Sequence, residues 1–121
     1  MMDSPGLLDA HYAFLLGNYS LALKLLHKIK PEDDQFRLKV DVLNYRIYIA
    51  QKKYGVVLDE VAENTDIVEF KLLRLLALFF NSSSERSAIL REVEQLISGS
   101  LNPEDDTALI LAATIYLNAE V

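Results

Sequence analysis

The sequence of 121 residues contains no cysteine, and it has few residues that interrupt helices, with three prolines and four glycines. Without cysteine the chain forms neither a disulfide nor a thiolate metal site, which is typical of a reducing compartment. Proline and glycine stand mainly where helices would begin or end, which favours an all-α fold. Because hydrophobic residues make up 51% of the chain, we expect a packed core rather than disorder.

The chain also has no long apolar run and no excess of positive charge. Its longest apolar segment, residues 72–80, is interrupted by Arg74 and is far shorter than the roughly 20 residues of a spanning helix. The formal net charge is −6, and the densest basic run is Lys52-Lys53, so nucleic-acid binding is not expected. The first residues lack the basic start and apolar centre of a signal peptide, so we expect a cytosolic protein.

No arrangement of residues predicts catalysis, a cofactor or a metal site. His11 and His27 are the two histidines, and neither has a carboxylate three or four residues away. The acidic stretches 32–34 and 104–106 lack the spacing and central glycine of a calcium-binding loop, and we interpret them as helix starts. Since a glycine-rich phosphate loop and a Ser-His-Asp grouping are also missing, we predict a protein that is not an enzyme.

Start and stop signals divide the chain into about seven helices. Ser4 followed by Pro5 predicts the first start, and Gly17-Asn18 predicts the first end, because glycine tolerates the left-handed conformation. The acidic residues 32–34 are expected in the first turn of the third helix. The predicted helices cover approximately residues 5–16, 19–27, 31–50, 54–62, 66–80, 84–97 and 103–121.

Several features recur with a period close to 34 residues. Residues 17–22 have the pattern G-x-Y-x-x-A, and Tyr54 follows Tyr19 by 35 residues in a similar setting. The triplet at residues 47–49, Ile-Tyr-Ile, recurs as Ile-Tyr-Leu at residues 115–117, which is 68 residues later. Helix pairs that repeat every 34 residues or so are typical of tetratricopeptide arrays.

We therefore predict an all-α, tetratricopeptide-like, right-handed solenoid of helical hairpins that forms one domain over residues 1–121. Complete repeats are predicted at about 4–29, 33–62 and 66–98, and a half repeat at 103–121. The match to the repeat pattern has gaps. The first repeat lacks the large aromatic residue expected early in its first helix, and the third has no tyrosine in its turn.

Residues 43–61, LNYRIYIAQKKYGVVLDEV, resemble the epsilon subunit family of coatomer, the COPI vesicle coat. Residues 112–117 stand at the matching distance downstream, and residues 14–19 fit more loosely. The resemblance covers nearly all of this chain and the N-terminal part of the family's proteins. It implies a non-catalytic coat scaffold that binds the C-terminal region of the alpha subunit of coatomer. It further implies Golgi-to-ER and intra-Golgi transport, on the cytoplasmic side of Golgi membranes and COPI vesicles.

In tetratricopeptide arrays the first helix of each repeat lines a concave groove, and we predict that this groove binds the partner. Most of the predicted lining is apolar, with Arg46 as its main charge, which suits hydrophobic side chains better than an acidic tail. The predicted groove residues are His11, Phe14, Leu15, Lys39, Val42, Arg46, Ile49, Phe70, Leu73, Phe80, Ile110, Thr114 and Leu117.

Two alternatives remain open. Tight curvature of the array would bury the groove residues as packing contacts. A generic peptide-binding or self-assembling tetratricopeptide adaptor also fits the pattern. The last repeat lacks its second helix, so residues 109–121 would present an uncovered apolar face through which copies associate.

Overall fold

The computed structural model describes residues 5–81, 86–99 and 110–115, and every regular element among them is an α-helix. Residues 110–115 form a helical segment, α7. Within the described ranges no helix is both long and apolar enough to cross a membrane. The predicted all-α fold with about seven helices is confirmed. The other helices are α1 (Pro5–Leu15), α2 (Tyr19–His27), α3 (Asp34–Ala50), α4 (Tyr54–Glu60), α5 (Val68–Asn81) and α6 (Arg86–Gly99).

The chain divides into two compact units, unit 1 at Met1–Lys52 and unit 2 at Lys53–Val121. Helices α1 to α3 belong to unit 1, and helices α4 to α7 belong to unit 2. The boundary falls between the two helices of the predicted second repeat. The single domain and its repeat boundaries stay predictions.

Unit 1 is a helical hairpin, α1 with α2, and both of its helices contact α3. Small side chains lie where the helices meet. Ala10 and Ala22, in α1 and α2, are fully buried, and alanine lets two helix backbones approach closely. The core residues of this unit are Leu7, Ala10, Ala13, Ala22, Leu26, Leu43 and Ile47.

The turn between α1 and α2 requires a left-handed backbone conformation, which glycine adopts readily and most other residues avoid. Gly17 has φ +81°, a conformation in which other L-residues are strained. The amides of Gly17 and Asn18 donate to the carbonyls of Phe14 and Ala13, which closes the end of α1. The Asn18 side chain then accepts from the Leu21 amide and caps α2. These local causes explain why both helix bounds were predictable.

The third helix begins later than predicted. Asp33 is its N-cap, and its carboxylate accepts a hydrogen bond from the Phe36 amide at 2.8 Å. Pro31 to Asp33 therefore precede α3, and only Asp34 lies in the first turn. The predicted start at Pro31 was wrong because the capping aspartate, rather than the proline, fixes the first helical residue.

In unit 2, α4 packs against α5 and α5 packs against α6. Phe79 of α5 is fully buried, and the guanidinium carbon of Arg86 in α6 lies 4.5 Å from the centre of its ring. The other buried side chains of this unit are Val57, Val61, Leu72, Leu73, Leu75, Leu76, Ala77, Ile89, Val93, Leu111, Ala112 and Ile115.

Helix α4 ends at Glu60, two residues before the predicted end, and α5 starts at Val68 rather than Asp66. The Arg74 side chain donates to the carbonyls of Leu58 at 2.8 Å and Val61 at 3.0 Å. A side chain from α5 thus satisfies carbonyls at the end of α4 that would otherwise lack partners. This long-range contact has no local sequence signal, which explains the error at the α4 end.

Several predicted features lie outside the described residues. These are the helix starts at Ser4, Ser84 and Pro103, and the chain end, which includes Tyr116 and Leu117.

Candidate partner-binding surface

The structure brings three predicted groove residues of unit 1 together. His11 and Phe14 stand one turn apart on α1, and Arg46 reaches them from α3. The Arg46 guanidinium carbon lies 4.9 Å from the centre of the Phe14 ring, which is a cation–π contact. The His11 and Phe14 ring centres are 6.4 Å apart, and Phe14 and Tyr19 are 6.1 Å apart. A small cluster with one cation over an aromatic ring results.

Burial sets the charge state of this cluster. His11 and Arg46 are half-buried. Burial lowers the pKa of His11, and the positive charge of Arg46 lowers it further. Burial also lowers the pKa of Arg46, but the usual arginine value is so high that the guanidinium stays charged. At neutral pH the cluster therefore holds one positive charge, on Arg46, and a neutral imidazole.

Polar groups of the cluster lack hydrogen-bond partners in the described part of the chain. The His11 Nδ1 atom is buried and unpaired. The guanidinium of Arg46 contacts the Phe14 ring, and none of the described residues accepts a hydrogen bond from it. Partly buried donors of this kind gain when a bound molecule supplies an acceptor.

The other predicted residues of unit 1 differ in exposure. Leu15 is 61% exposed and is the apolar member that a partner would reach first. Lys39 is half-buried, whereas Val42 and Ile49 are buried. The accessible part of the prediction in this unit is therefore Leu15, the half-buried Lys39 and the cluster of His11, Phe14 and Arg46.

The predicted groove residues of unit 2 also differ in exposure. Leu73 is fully buried, and Phe70 and Phe80 are half-buried. The Phe80 ring stacks on Tyr54 at 5.8 Å. On α7, Ile110 is exposed, and the Thr114 hydroxyl donates to its carbonyl at 2.8 Å. Leu117 lies outside the described residues. The groove prediction as a whole stays a prediction.

Two surface features were missed from the sequence. Leu16 is 85% exposed, although it continues the apolar pattern of α1; it stands in the turn, one residue after the last helical position. Unit 2 also has a groove of about 600 Å³ between α5 and α6. Its charged residues are Glu63, Lys71, Arg74 and Glu92, and its apolar residues include Leu75, Leu78, Ile89 and Leu96.

The described ranges hold no evident place for a metal ion. No group of three or more His, Asp or Glu residues in 5–81, 86–99 and 110–115 has the arrangement of a metal site. The features that remain in unit 1 are apolar and aromatic side chains around the half-buried Arg46. They suit contact with another protein.

Comparison with known proteins identifies the family. The family model described as "Coatomer epsilon subunit" matches residues 4–121. Coatomer subunit epsilon of Caenorhabditis elegans is 31% identical over 108 residues, covering 89% of this chain and 37% of the relative. Coatomer subunit epsilon of Dictyostelium discoideum is 31% identical over 126 residues, covering 99% of this chain and 42% of the relative. Coatomer subunit epsilon-2 of Arabidopsis thaliana is 25% identical over 109 residues, covering 88% and 36%.

This chain thus spans about two fifths of the length of the curated relatives it matches. The match to the family extends over nearly every residue, from 4 to 121. It includes all of the described helices and the residues of the aromatic and cationic cluster. The chain belongs to the coatomer epsilon subunit family.

Proposed function

We propose that this chain is a non-catalytic scaffold subunit of the COPI coat that binds the C-terminal region of the alpha subunit of coatomer. The family match over residues 4–121 carries the proposal. The resemblance at residues 43–61 supplies the identity of the partner. In this role the chain acts in Golgi-to-ER and intra-Golgi transport, on the cytoplasmic face of Golgi membranes and of COPI vesicles.

In unit 1 the proposed contact is centred on Leu15 and Arg46. Burying Leu15 against an apolar side chain contributes about 25 cal/mol per Å² removed from water, less the cost of ordering the interface. Arg46 donates to a carbonyl or carboxylate of the partner. Because Arg46 is half-buried and is held over the Phe14 ring at 4.9 Å, little side-chain freedom is lost when that hydrogen bond forms.

Unit 2 contributes apolar contacts of its own to the proposed interaction. Ile110 is exposed, and the half-buried ring of Phe80 is held in place by stacking on Tyr54. An aromatic ring that is already ordered provides contact area at a low entropic cost.

Calorimetry with the C-terminal region of the alpha subunit tests the proposal. We expect the unmodified chain to bind, and we expect Leu15→Asp to weaken binding by about tenfold or more, which corresponds to about 1.4 kcal/mol. Leu16→Asp is the matched control. It places the same charge one residue away, on a side chain that is more exposed, and it should leave the affinity unchanged.

A second variant, Arg46→Gln, separates the charge from the apolar contact. It should also weaken binding, with its helix content unchanged by circular dichroism. Phe14→Ala is a poorer probe because Phe14 packs against the core of unit 1. An unmodified chain that does not bind would remove the alpha subunit as the partner. A folded Leu15→Asp chain with full affinity would show that the binding surface lies elsewhere.

The face formed by Leu111, Ala112 and Ile115 of α7 is buried. Self-association through residues 109–121 therefore gains no support from the described part of α7.

A further inference from the structure

Helices α2 and α4 occupy equivalent places in the repeat, since Tyr54 and Val57 follow Tyr19 and Ala22 by 35 residues. The inward residues of this pattern agree, because Ala22 and Val57 are both fully buried. The outward residues also stand at equivalent positions, and the charged ones among them have opposite signs in α2 and α4. At the same spacing of 35, Leu21 corresponds to Val56, Lys24 to Asp59 and Lys28 to Glu63, and all six residues are exposed.

The α2 face is a short apolar and basic stripe. Leu21, Lys24 and Lys28 recur at three and four residues, so they share one side of the helix, opposite the buried Ala22 and Leu26. Neither lysine forms an ion pair with any carboxylate that the structure describes. The residues 19–28 contain no acidic side chain. The stripe is therefore free to meet negative charge from outside the molecule.

The α4 face is the acidic counterpart. Val56 and Asp59 lie on the side of α4 that faces away from the buried Val57. Glu60 and Glu63 extend the negative charge along and beyond the helix end, and both are exposed. The residues 54–63 contain no basic side chain.

The charge difference extends to the two units. Unit 1, at residues 1–52, has seven Lys and Arg against six Asp and Glu, a formal charge of +1. Unit 2, at residues 53–121, has five against twelve, a formal charge of −7. Complementary fields of this kind attract unit 1 of one molecule to unit 2 of another.

We propose that copies of this chain associate head to tail, with the α2 face of one copy docked on the α4 face of the next. A parallel alignment of the two helices places Leu21 on Val56 and Lys24 near Asp59. Lys28, the C-cap of α2, then lies towards the acidic residues Glu60 and Glu63 at and beyond the end of α4. Because the two faces differ, each contact joins unlike surfaces, and association extends beyond a pair of copies unless the contacts close on themselves. None of the predicted groove residues belongs to either face, so this contact uses residues other than those of the proposed alpha-subunit surface.

Sedimentation velocity of the full chain tests the proposal. Exposed ion pairs are weak and are screened by salt. We expect the average mass to rise with protein concentration at about 30 mM salt and to fall to that of the monomer at about 500 mM salt. A monomer at every concentration in low salt would overturn the proposal.

Charge reversal identifies the two faces. The variants Lys24→Glu/Lys28→Glu and Asp59→Lys/Glu63→Lys should each be monomeric alone, because each carries like charges on both faces. Mixing them in equal amounts should restore association, since the acidic α2 face of the first variant then meets the basic α4 face of the second. Circular dichroism checks that both variants keep their helix content.

Arg91→Glu and Glu94→Lys are the matched controls, because both positions are exposed on α6, outside the two faces. Each control should associate like the unmodified chain. If the lysine variant loses association and the acidic variant keeps it, the α2 face binds another surface and the pairing with α4 is overturned. Loss of association in the controls would show a general effect of charge and would also overturn it.

Discussion

His11 and Arg46 lie close enough that the charge of one affects the proton affinity of the other. Burial is the larger cause of the lowered pKa of His11, and the guanidinium of Arg46 adds to it. The ring centres of Tyr12 and Phe14 each lie 6.4 Å from the centre of the His11 imidazole. The protonated imidazole is therefore disfavoured in the folded chain relative to the unfolded chain.

We predict that this histidine makes the folded state less stable as the pH falls from about 7 to about 5. Because the folded pKa is below the unfolded value near 6.5, the unfolded chain binds more protons in this range, and stability rises with pH. Urea unfolding at several pH values measures the effect. His11→Gln should flatten the plot of unfolding free energy against pH between about pH 5 and about pH 7. Arg46→Gln should flatten this plot only partly, because His11 is still buried in that variant. A His11→Gln chain with the same pH dependence as the unmodified chain would contradict the assignment.

Individual residues differ in how far the sequence reveals their environment. Gly17 acts through its own backbone, so a local pattern was enough to mark it as the end of α1. The prediction placed Asp33 inside the first turn of α3, whereas it caps that helix. Leu15 and Leu73 are both leucines on apolar helix faces, yet the first is largely exposed and the second is fully buried. Only the packing of other helices separates the two, so the groove prediction included both.

Among the helices, α4 depends most on a distant residue. It has seven residues, fewer than an isolated helix needs to be stable in water. The carbonyls of Leu58 and Val61 at its C-terminal end accept hydrogen bonds from Arg74 of α5. This contact joins the end of one helix to the side of the next and fixes where α4 stops.

We expect Arg74→Met to reduce the free energy of unfolding by about 1–3 kcal/mol, because two partly buried carbonyls lose a charged donor. Methionine keeps most of the apolar length of the side chain, so the change tests the hydrogen bonds rather than the packing. Amide hydrogen exchange measures the local effect: relative to the unmodified chain, the Arg74→Met chain should exchange faster in α4 and change less in α2. Arg91→Met is the control, since Arg91 is exposed on α6 and should change the stability little. Unchanged protection of α4 in the Arg74 variant would contradict this role.

The start and end of a helix were predictable wherever a local cap is present. The bounds of α2 agree with the prediction because Asn18 caps its start. The start of α3 was wrong by three residues because Pro31 and Asp33 are both plausible starts, and the hydrogen bond to Phe36 decides for the aspartate. The early end of α4 depends on Arg74, which is 13 residues beyond Val61, so no local pattern indicates it.

At the scale of the whole molecule, negative charge is concentrated in unit 2. Its formal charge of −7 contrasts with +1 in unit 1. Like charges on one compact unit repel one another and oppose folding, and added salt screens that repulsion.

We predict that the free energy of unfolding rises by up to about 1 kcal/mol between about 20 mM and about 200 mM salt. Chemical unfolding at low protein concentration, where the chain is a monomer, measures this. A variant with Glu92→Gln and Glu94→Gln in unit 2 should respond less to salt. The matched change in unit 1, Asp9→Asn with Glu32→Gln, should leave the response nearly unchanged. Equal responses in both variants would show that the repulsion is not confined to unit 2.

The sequence by itself determined the helical class, the turn at Gly17 and the coatomer epsilon family. Each of these rests on local backbone chemistry or on residues that can be compared in order along the chain. The tertiary structure decided which apolar side chains reach solvent, where α4 ends, and that Arg46 lies over Phe14 beside His11. Those outcomes depend on side chains from helices far apart in sequence, and their burial and hydrogen bonds exist only once the helices have packed.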